Sequence, residues 1–161
     1  MVDPSSDLIT DSIVVGYAAN SIKEDKNGKL WVTCSGDITL GIAATLHCIN
    51  PLNLEVEQSI QFVNGSPWRL KTNGAKDTLY YLNKGVYAMS INATVLPSQA
   101  LIVEGNRNYY GLGIDPLSGV VYVADAMDYV QKSTVYRYKS DGTNINSFKS
   151  GIISGDFYFK P

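Results

Sequence analysis

Three stretches of this chain repeat one plan, and that repeat limits the fold more than any other feature of the sequence. Asp25-Lys26-Asn27-Gly28-Lys29-Leu30-Trp31-Val32 aligns with Asp115-Pro116-Leu117-Ser118-Gly119-Val120-Val121-Tyr122-Val123, and Asn73-Gly74-Ala75-Lys76-Asp77-Thr78-Leu79-Tyr80-Tyr81 follows the same order. Each copy opens a turn with Asp or Asn and then runs through an apolar residue, an aromatic and another strand former. The aromatics Trp31, Tyr80 and Tyr122 stand 49 and 42 positions apart. A period of roughly 40 to 50 residues built from short strands is the spacing of propeller blades rather than of helical arrays.

Each copy divides into four candidate strands separated by turn signals. The first copy runs 21–24, 30–34, 45–49 and 55–62; the second 69–72, 78–82, 86–90 and 99–104; the third 111–114, 120–124, 134–138 and 144–148. No long segment has a clean 3.6-residue period, so the chain is predicted to be all-β. Blades are expected at about 20–62, 68–104 and 110–148, after a disordered lead over residues 1–10. Asp11 to Gly16 reads as the outer strand of a preceding blade, and Asp156 to Lys160 as the inner strand of a following one. The expected fold is a partial β-propeller of three four-stranded antiparallel blades plus a strand at each end. Complete propellers use about 4 to 8 blades. Either two chains complete a ring as a homodimer, or missing N-terminal blades do so in a longer protein.

Composition narrows the function classes. Of 161 residues, 45% are hydrophobic and 17% charged, which suits a packed domain. The net charge of −2 leaves no basic footprint for nucleic acid. No apolar run approaches the ~18 to 20 residues of a membrane helix, and the N-terminus lacks a signal-peptide pattern. Cys34 and Cys48 fall on consecutive strands of one hairpin, where a cross-strand bridge and two separate buried thiols both remain open.

Gly111-Leu112-Gly113-Ile114-Asp115-Pro116, then Gly119 to Asp125, then Val135-Tyr136-Arg137-Tyr138 with Asp141-Gly142, carry a family likeness. Together with Ile22 to Val32 and Gly155-Asp156-Phe157-Tyr158-Phe159, they resemble the YVTN/YncE-like, surface-layer-type seven-bladed propellers of Bacteroidetes cell-envelope proteins. The resemblance runs from about Ile13 onward, over about half the length of such a propeller. It implies an exported protein of the cell envelope or outer surface, often a surface lipoprotein anchored by lipid. Some propellers of that type capture corrinoids, and the resemblance therefore implies a corrinoid as the most specific candidate ligand.

Propeller ligands usually meet the loops between blades and the loops joining second and third strands. The candidate rim residues on those loops are Tyr17, Asn20, Trp68, Arg69, Arg107, Tyr109, Tyr110, Asp125 and Asp156. Trp68, Tyr109 and Tyr110 offer rigid flat surfaces for a sugar or planar ring, and equally serve to seal one blade against the next. Arg69 and Arg107 suit phosphate or carboxylate. The favoured function is non-enzymatic binding of a small molecule or glycan. The alternatives are a protein interaction scaffold and, third, a propeller lyase or lactonase.

No catalytic constellation is predicted. His47 is the only histidine, sits in a predicted strand, and reads as structural. No metal site or cofactor is expected: His47, Cys34 and Cys48 lack a fourth zinc ligand. Asp115, Asp125 and Asp128 match no EF-hand spacing and read as turn formers. Gly111-Leu112-Gly113 matches part of a dinucleotide fingerprint, but it opens a strand with no helix after it.

Overall fold

The computed structural model describes residues 2–160, and among these there is no helix. Val2–Asp3 (β1) and Leu8–Ile9 (β2) pair as a short antiparallel hairpin where disorder is expected from the sequence. Asp3 holds it by accepting hydrogen bonds from the Ser5 N–H at 2.9 Å and the Ser6 hydroxyl at 3.0 Å. Three antiparallel meanders follow. The first blade is Ala19–Glu24 (β3), Leu30–Cys34 (β4), Thr45–Asn50 (β5) and Glu55–Gln61 (β6). The second is Trp68–Thr72 (β7), Thr78–Leu82 (β8), Gly85–Ser90 (β9) and Ile102–Val103 (β10). The third is Tyr109–Ile114 (β11), Val121–Asp125 (β12), Lys132–Tyr138 (β13) and Asn144–Ile152 (β14). The chain is thus all-β and forms a partial β-propeller.

The repeated turn has one cause in all three blades. Asp25 Oδ1 accepts the backbone N–H of Asn27 at 2.8 Å and of Lys29 at 3.0 Å. Asn73 Oδ1 accepts from Asp77 at 3.0 Å and Thr78 at 3.2 Å. Asp115 Oδ1 accepts from Leu117 at 2.9 Å and Ser118 at 3.4 Å. A short polar side chain that bonds its own turn backbone fixes the reversal between first and second strands. Successive turns also touch one another. Lys26 N–H donates to Lys76 O at 2.9 Å, and a Cβ on Gly74 would overlap the Pro116 carbonyl oxygen.

Strand alternation then sorts side chains between the two blade interfaces. Trp31, Leu46, Cys48 and Phe62 of the first blade pack on Leu70, Leu79, Tyr81 and Met89 of the second. Tyr80, Leu82, Val86 and Ile102 pack on Leu112, Ile114, Val121, Val123 and Tyr138 of the third. Cys34 belongs to a different cluster, on the first blade's other face, with Val32 and Ile49. The two cysteines therefore point to opposite sides of one sheet and are free thiols. Burial raises both, the Cys48 thiol to about 11 with help from Asp25 and Glu57.

Both terminal strands expected from the sequence are corrected by the structure. Residues 11–16 and 156–160 join no ladder. Alternating apolar residues suit a strand, but a strand also needs a hydrogen-bonding partner, and neither segment runs beside one. Each instead lies against a blade face. Phe157 and Phe159 pack on Tyr122, with ring centroids 5.7 and 5.3 Å away. Glycines make room for this chain: a Cβ on Gly113 would come within 2.7 Å of Phe157 Cβ, and one on Gly111 within 2.6 Å of Ser154 O. The strand expected over 99–104 is also shorter, reduced to Ile102–Val103 at the blade's outer edge.

At the other end Ile13 and Val15 cover Val32, Cys34 and Ile49. Gly16 N–H donates to His47 Nε2 at 3.1 Å, and His47 Nδ1 lies 2.7 Å from Ser59 Oγ. Since Nε2 accepts, the ring is neutral with its proton on Nδ1. Burial lowers the His47 pKa below its ordinary 6.5. Its stabilising contribution is therefore complete above pH 6.5 and is lost as pH falls through the lower folded value. Urea midpoints should drop between pH 7 and 5 in the native chain and fall less steeply in His47→Gln. Equal slopes for the two proteins would refute this role.

Candidate functional site

The innermost strand of every blade is bulged near its start. The register shifts between Ala19 and Ser21, between Trp68 and Lys71, and between Tyr109 and Gly111. A bulge re-aims the side chain it carries. In the second blade the bulge includes Arg69, whose φ of 57° lies in the left-handed region that non-glycine residues seldom occupy. That conformation is held by Arg69 Nε, which donates to Tyr110 O at 3.3 Å.

The two neighbouring bulges thereby build an aromatic and cationic cluster. The Arg69 guanidinium carbon lies 4.9 Å from the Trp68 ring centroid and 5.4 Å from that of Tyr110. Trp68 and Tyr110 meet edge to face at 5.1 Å, and Tyr110 meets Tyr129 in the same way at 5.9 Å. Tyr129 is 46% exposed, and its hydroxyl donates to Asn108 Oδ1 at 3.3 Å. Gly155 backs the cluster: a Cβ there would sit 3.0 Å from an Arg69 terminal nitrogen. The next residue, Asp156, pairs with Lys71 at 2.5 Å. Burial pushes the Asp156 carboxyl up, but Lys71, the Phe157 N–H and Arg69 outweigh it, leaving the group below its ordinary value. The cluster offers ring faces and edges for stacking, with guanidinium N–H groups beside them.

Of the nine residues singled out from the sequence, Trp68, Arg69, Tyr110 and Asp156 come together here. The other five do not. Tyr17 is half exposed, and its carbonyl accepts from Gly36 N–H at 3.1 Å. Asn20 is committed to its neighbours, donating to Pro67 O at 2.8 Å and accepting from the Thr33 hydroxyl at 2.8 Å. Asp125 is buried, and its Oδ1 accepts from Asn108 N–H at 3.0 Å and Met127 N–H at 2.9 Å. It ties the segment leading into Tyr110 to the loop that carries Tyr129. Tyr109 is also buried, its hydroxyl 3.0 Å from that of Tyr138, and burial raises its pKa. Arg107 turns away, its guanidinium 4.4 Å from the Tyr136 ring, into a hollow of about 460 Å³ between the second and third blades.

Two members of the cluster were missed by sequence reasoning. Tyr129 is the one aromatic in the 125–133 loop already assigned to the rim, and that was the available signal. Lys71 lies inside a predicted strand and gave none. The turn aspartates bind their own loops, as Asp128 does with Gln131 N–H at 2.8 Å and Val130 N–H at 3.0 Å. Those bonds lower its carboxyl to about 2. No three His, Cys, Asp or Glu side chains gather as a metal site among the described residues.

The 35–44 loop, residues 62–66 and Lys84 line a separate hollow of about 800 Å³. Its margin is apolar and open, with Ile38 96% and Val63 93% exposed.

No family model matches the chain, and no curated protein sequence does. Solved structures with the same fold do. A quinonprotein alcohol dehydrogenase-like protein from Bacteroides thetaiotaomicron superposes with a TM-score of 0.63 at 16% identity, over 81% of this chain and 33% of that one. The dihydro-heme d1 dehydrogenase NirN, in complex with DHE, gives 0.65 at 7% identity, over 96% and 33%. At such identities the likeness is one of fold alone, and it is to the propeller. This chain spans about a third of the length of either neighbour.

Proposed function

We propose that this chain supplies the blades of a non-enzymatic propeller that binds a small molecule or glycan through its rim. The observation that carries this reading is the Trp68–Arg69–Tyr110–Tyr129 cluster. Three aromatic rings and a cation converge there from the bulged starts of two inner strands and one loop, an arrangement suited to sugars and planar rings. A corrinoid is the more specific candidate, on the strength of the resemblance to surface-layer-type envelope propellers. The same resemblance supports membership of that group, with a place in the cell envelope and a lipid anchor in the full-length form. The exposed Ile38, Leu40 and Val63 favour a second reading, a scaffold that docks partner proteins or a second copy of the chain.

Calorimetric titration with cyanocobalamin and a panel of neutral oligosaccharides tests the first reading. Saturable binding to at least one probe is expected, falling tenfold or more in the double variant Trp68→Ala, Tyr110→Ala. Undiminished affinity in that variant would remove the rim from consideration. Absence of binding to any probe, with a light-scattering mass near twice 17.6 kDa, would favour the second reading.

A further inference from the structure

Toward the opposite end of the inner strands lies a third cavity, of about 330 Å³, whose body the rim reading does not use. Its walls come from all three blades and from the C-terminal segment. Equivalent positions meet there: Lys23 pairs in register with Trp31, Lys71 with Tyr80 and Gly113 with Tyr122. The repeat thus sets Lys, Lys and Gly side by side around the inner edge. Phe157 occupies the space left by the glycine. The cavity adjoins the aromatic cluster at Lys71, two residues from Arg69, and extends away from it to the Asn73–Gly74 turn, which lies five residue steps from Trp68, at most roughly 16 Å at about 3.3 Å per residue.

Among the described residues three cations line the cavity, and no acid does. Lys71 reaches the Asp156 carboxylate at 2.5 Å and Lys76 reaches Glu24 at 2.6 Å, both acids standing outside the lining. Lys23 is half-buried, and its ammonium forms no ion pair or hydrogen bond among the described residues. A partly desolvated ammonium without a partner gains from an anion that enters beside it. The site already accepts one carboxylate, that of Asp156 on Lys71. Ile114, Pro116, Phe157 and Phe159 supply apolar lining to the same cavity.

We propose that this cavity is a second binding site, for an aromatic carboxylate whose anionic end lies between Lys23 and Lys71 and whose ring rests on Phe157 and Phe159. Carboxylate and ring are both needed: the charge answers Lys23, and the apolar body fills a volume that a bare inorganic anion leaves wet.

The test is calorimetric titration of the whole chain with 2-naphthoate, 2-naphthamide and inorganic phosphate. Naphthoate should bind saturably, at least fivefold more tightly than either of the others. Lys23→Gln should weaken naphthoate at least fivefold and Lys23→Arg should restore it, each with an unchanged circular dichroism melt. Trp68→Ala, Tyr110→Ala should leave naphthoate affinity as it was. The proposal is overturned if naphthamide or phosphate binds as well as naphthoate, if Lys23→Gln has no effect, or if nothing binds. It is also overturned if the rim double variant abolishes naphthoate binding, because the ligand would then belong to the rim. Loss of rim binding alone, with naphthoate retained, would count only against the function proposed above.

Discussion

Tyr81→Ala should lower the unfolding free energy by about 3 to 5 kcal/mol, the range seen when a large buried aromatic is cut back to a methyl. Tyr81 lies in β8 and is buried between the first two blades. Its ring stacks on Tyr87 at 5.5 Å with an interplanar angle of 3° and meets Phe62 edge to face at 5.5 Å. Phe62 closes the first blade, so the edge-to-face pair crosses the blade interface. Cutting back Tyr81 therefore removes contacts on both sides of that interface, and the backbones cannot close the gap because their ladders fix the strand spacing. For a chain of this length the melting temperature should fall by about 6 to 20 °C. Tyr87→Ala, at a position only partly buried, should cost less. Urea unfolding followed by far-ultraviolet circular dichroism measures both. A Tyr81→Ala cost below about 1 kcal/mol would mean the blades do not depend on one another for stability, contrary to the packing seen here.

That dependence is why the fold was legible from the turns and aromatics. Asp25, Asn73 and Asp115 announce their turns because each bonds its own backbone, a local interaction that needs no knowledge of the rest of the chain. Trp31, Tyr80 and Tyr122 follow at fixed offsets because strand alternation places them. What was not legible depends on partners distant in sequence. Residues 11–16 and 156–160 have the composition of strands, yet hydrogen-bond pairing decides strand formation, and pairing is not local. Arg107 and Tyr109 sit in a rim loop by sequence, but Tyr109 is drawn into the core by Tyr138 and Arg107 onto the face of Tyr136. The bulges at Trp68/Lys71 and Tyr109/Gly111 aim Arg69 and Tyr110 at each other, and no spacing in the sequence reveals an extra residue in a ladder. Loops could be assigned to the rim from the sequence, but the direction of each side chain could not.

Asp25→Ala should cost about 3 kcal/mol, more than its counterparts in the other blades, because only in the first blade does the turn residue also satisfy a buried side chain. Asp25 is 3% exposed, and its Oδ2 accepts the indole N–H of Trp31 at 2.9 Å, while Oδ1 holds the two turn N–H groups. Removing the carboxylate leaves that indole donor inside the core, where no water replaces the lost acceptor. Asp25→Asn keeps one oxygen and should cost less, about 1 to 2 kcal/mol. In a double-mutant cycle, Trp31→Phe removes the donor, so Asp25→Ala made in that background should be milder by about 1 to 2 kcal/mol. Fluorescence offers a second readout. The chain has two tryptophans, and in a Trp68→Phe background the emission of Trp31 should shift to the blue when Asp25 is lost, because the indole N–H loses its charged acceptor and no water takes its place. Additive costs in the cycle would show that the carboxylate acts on the turn alone. Because this turn lies at the far end of the inner strands from Trp68 and Tyr110, the folded fraction of Asp25→Ala should bind rim ligands with native affinity. Stability and the proposed recognition are thus separable here: the repeated turns hold the blades together, and the bulges at the other end carry the side chains proposed to bind.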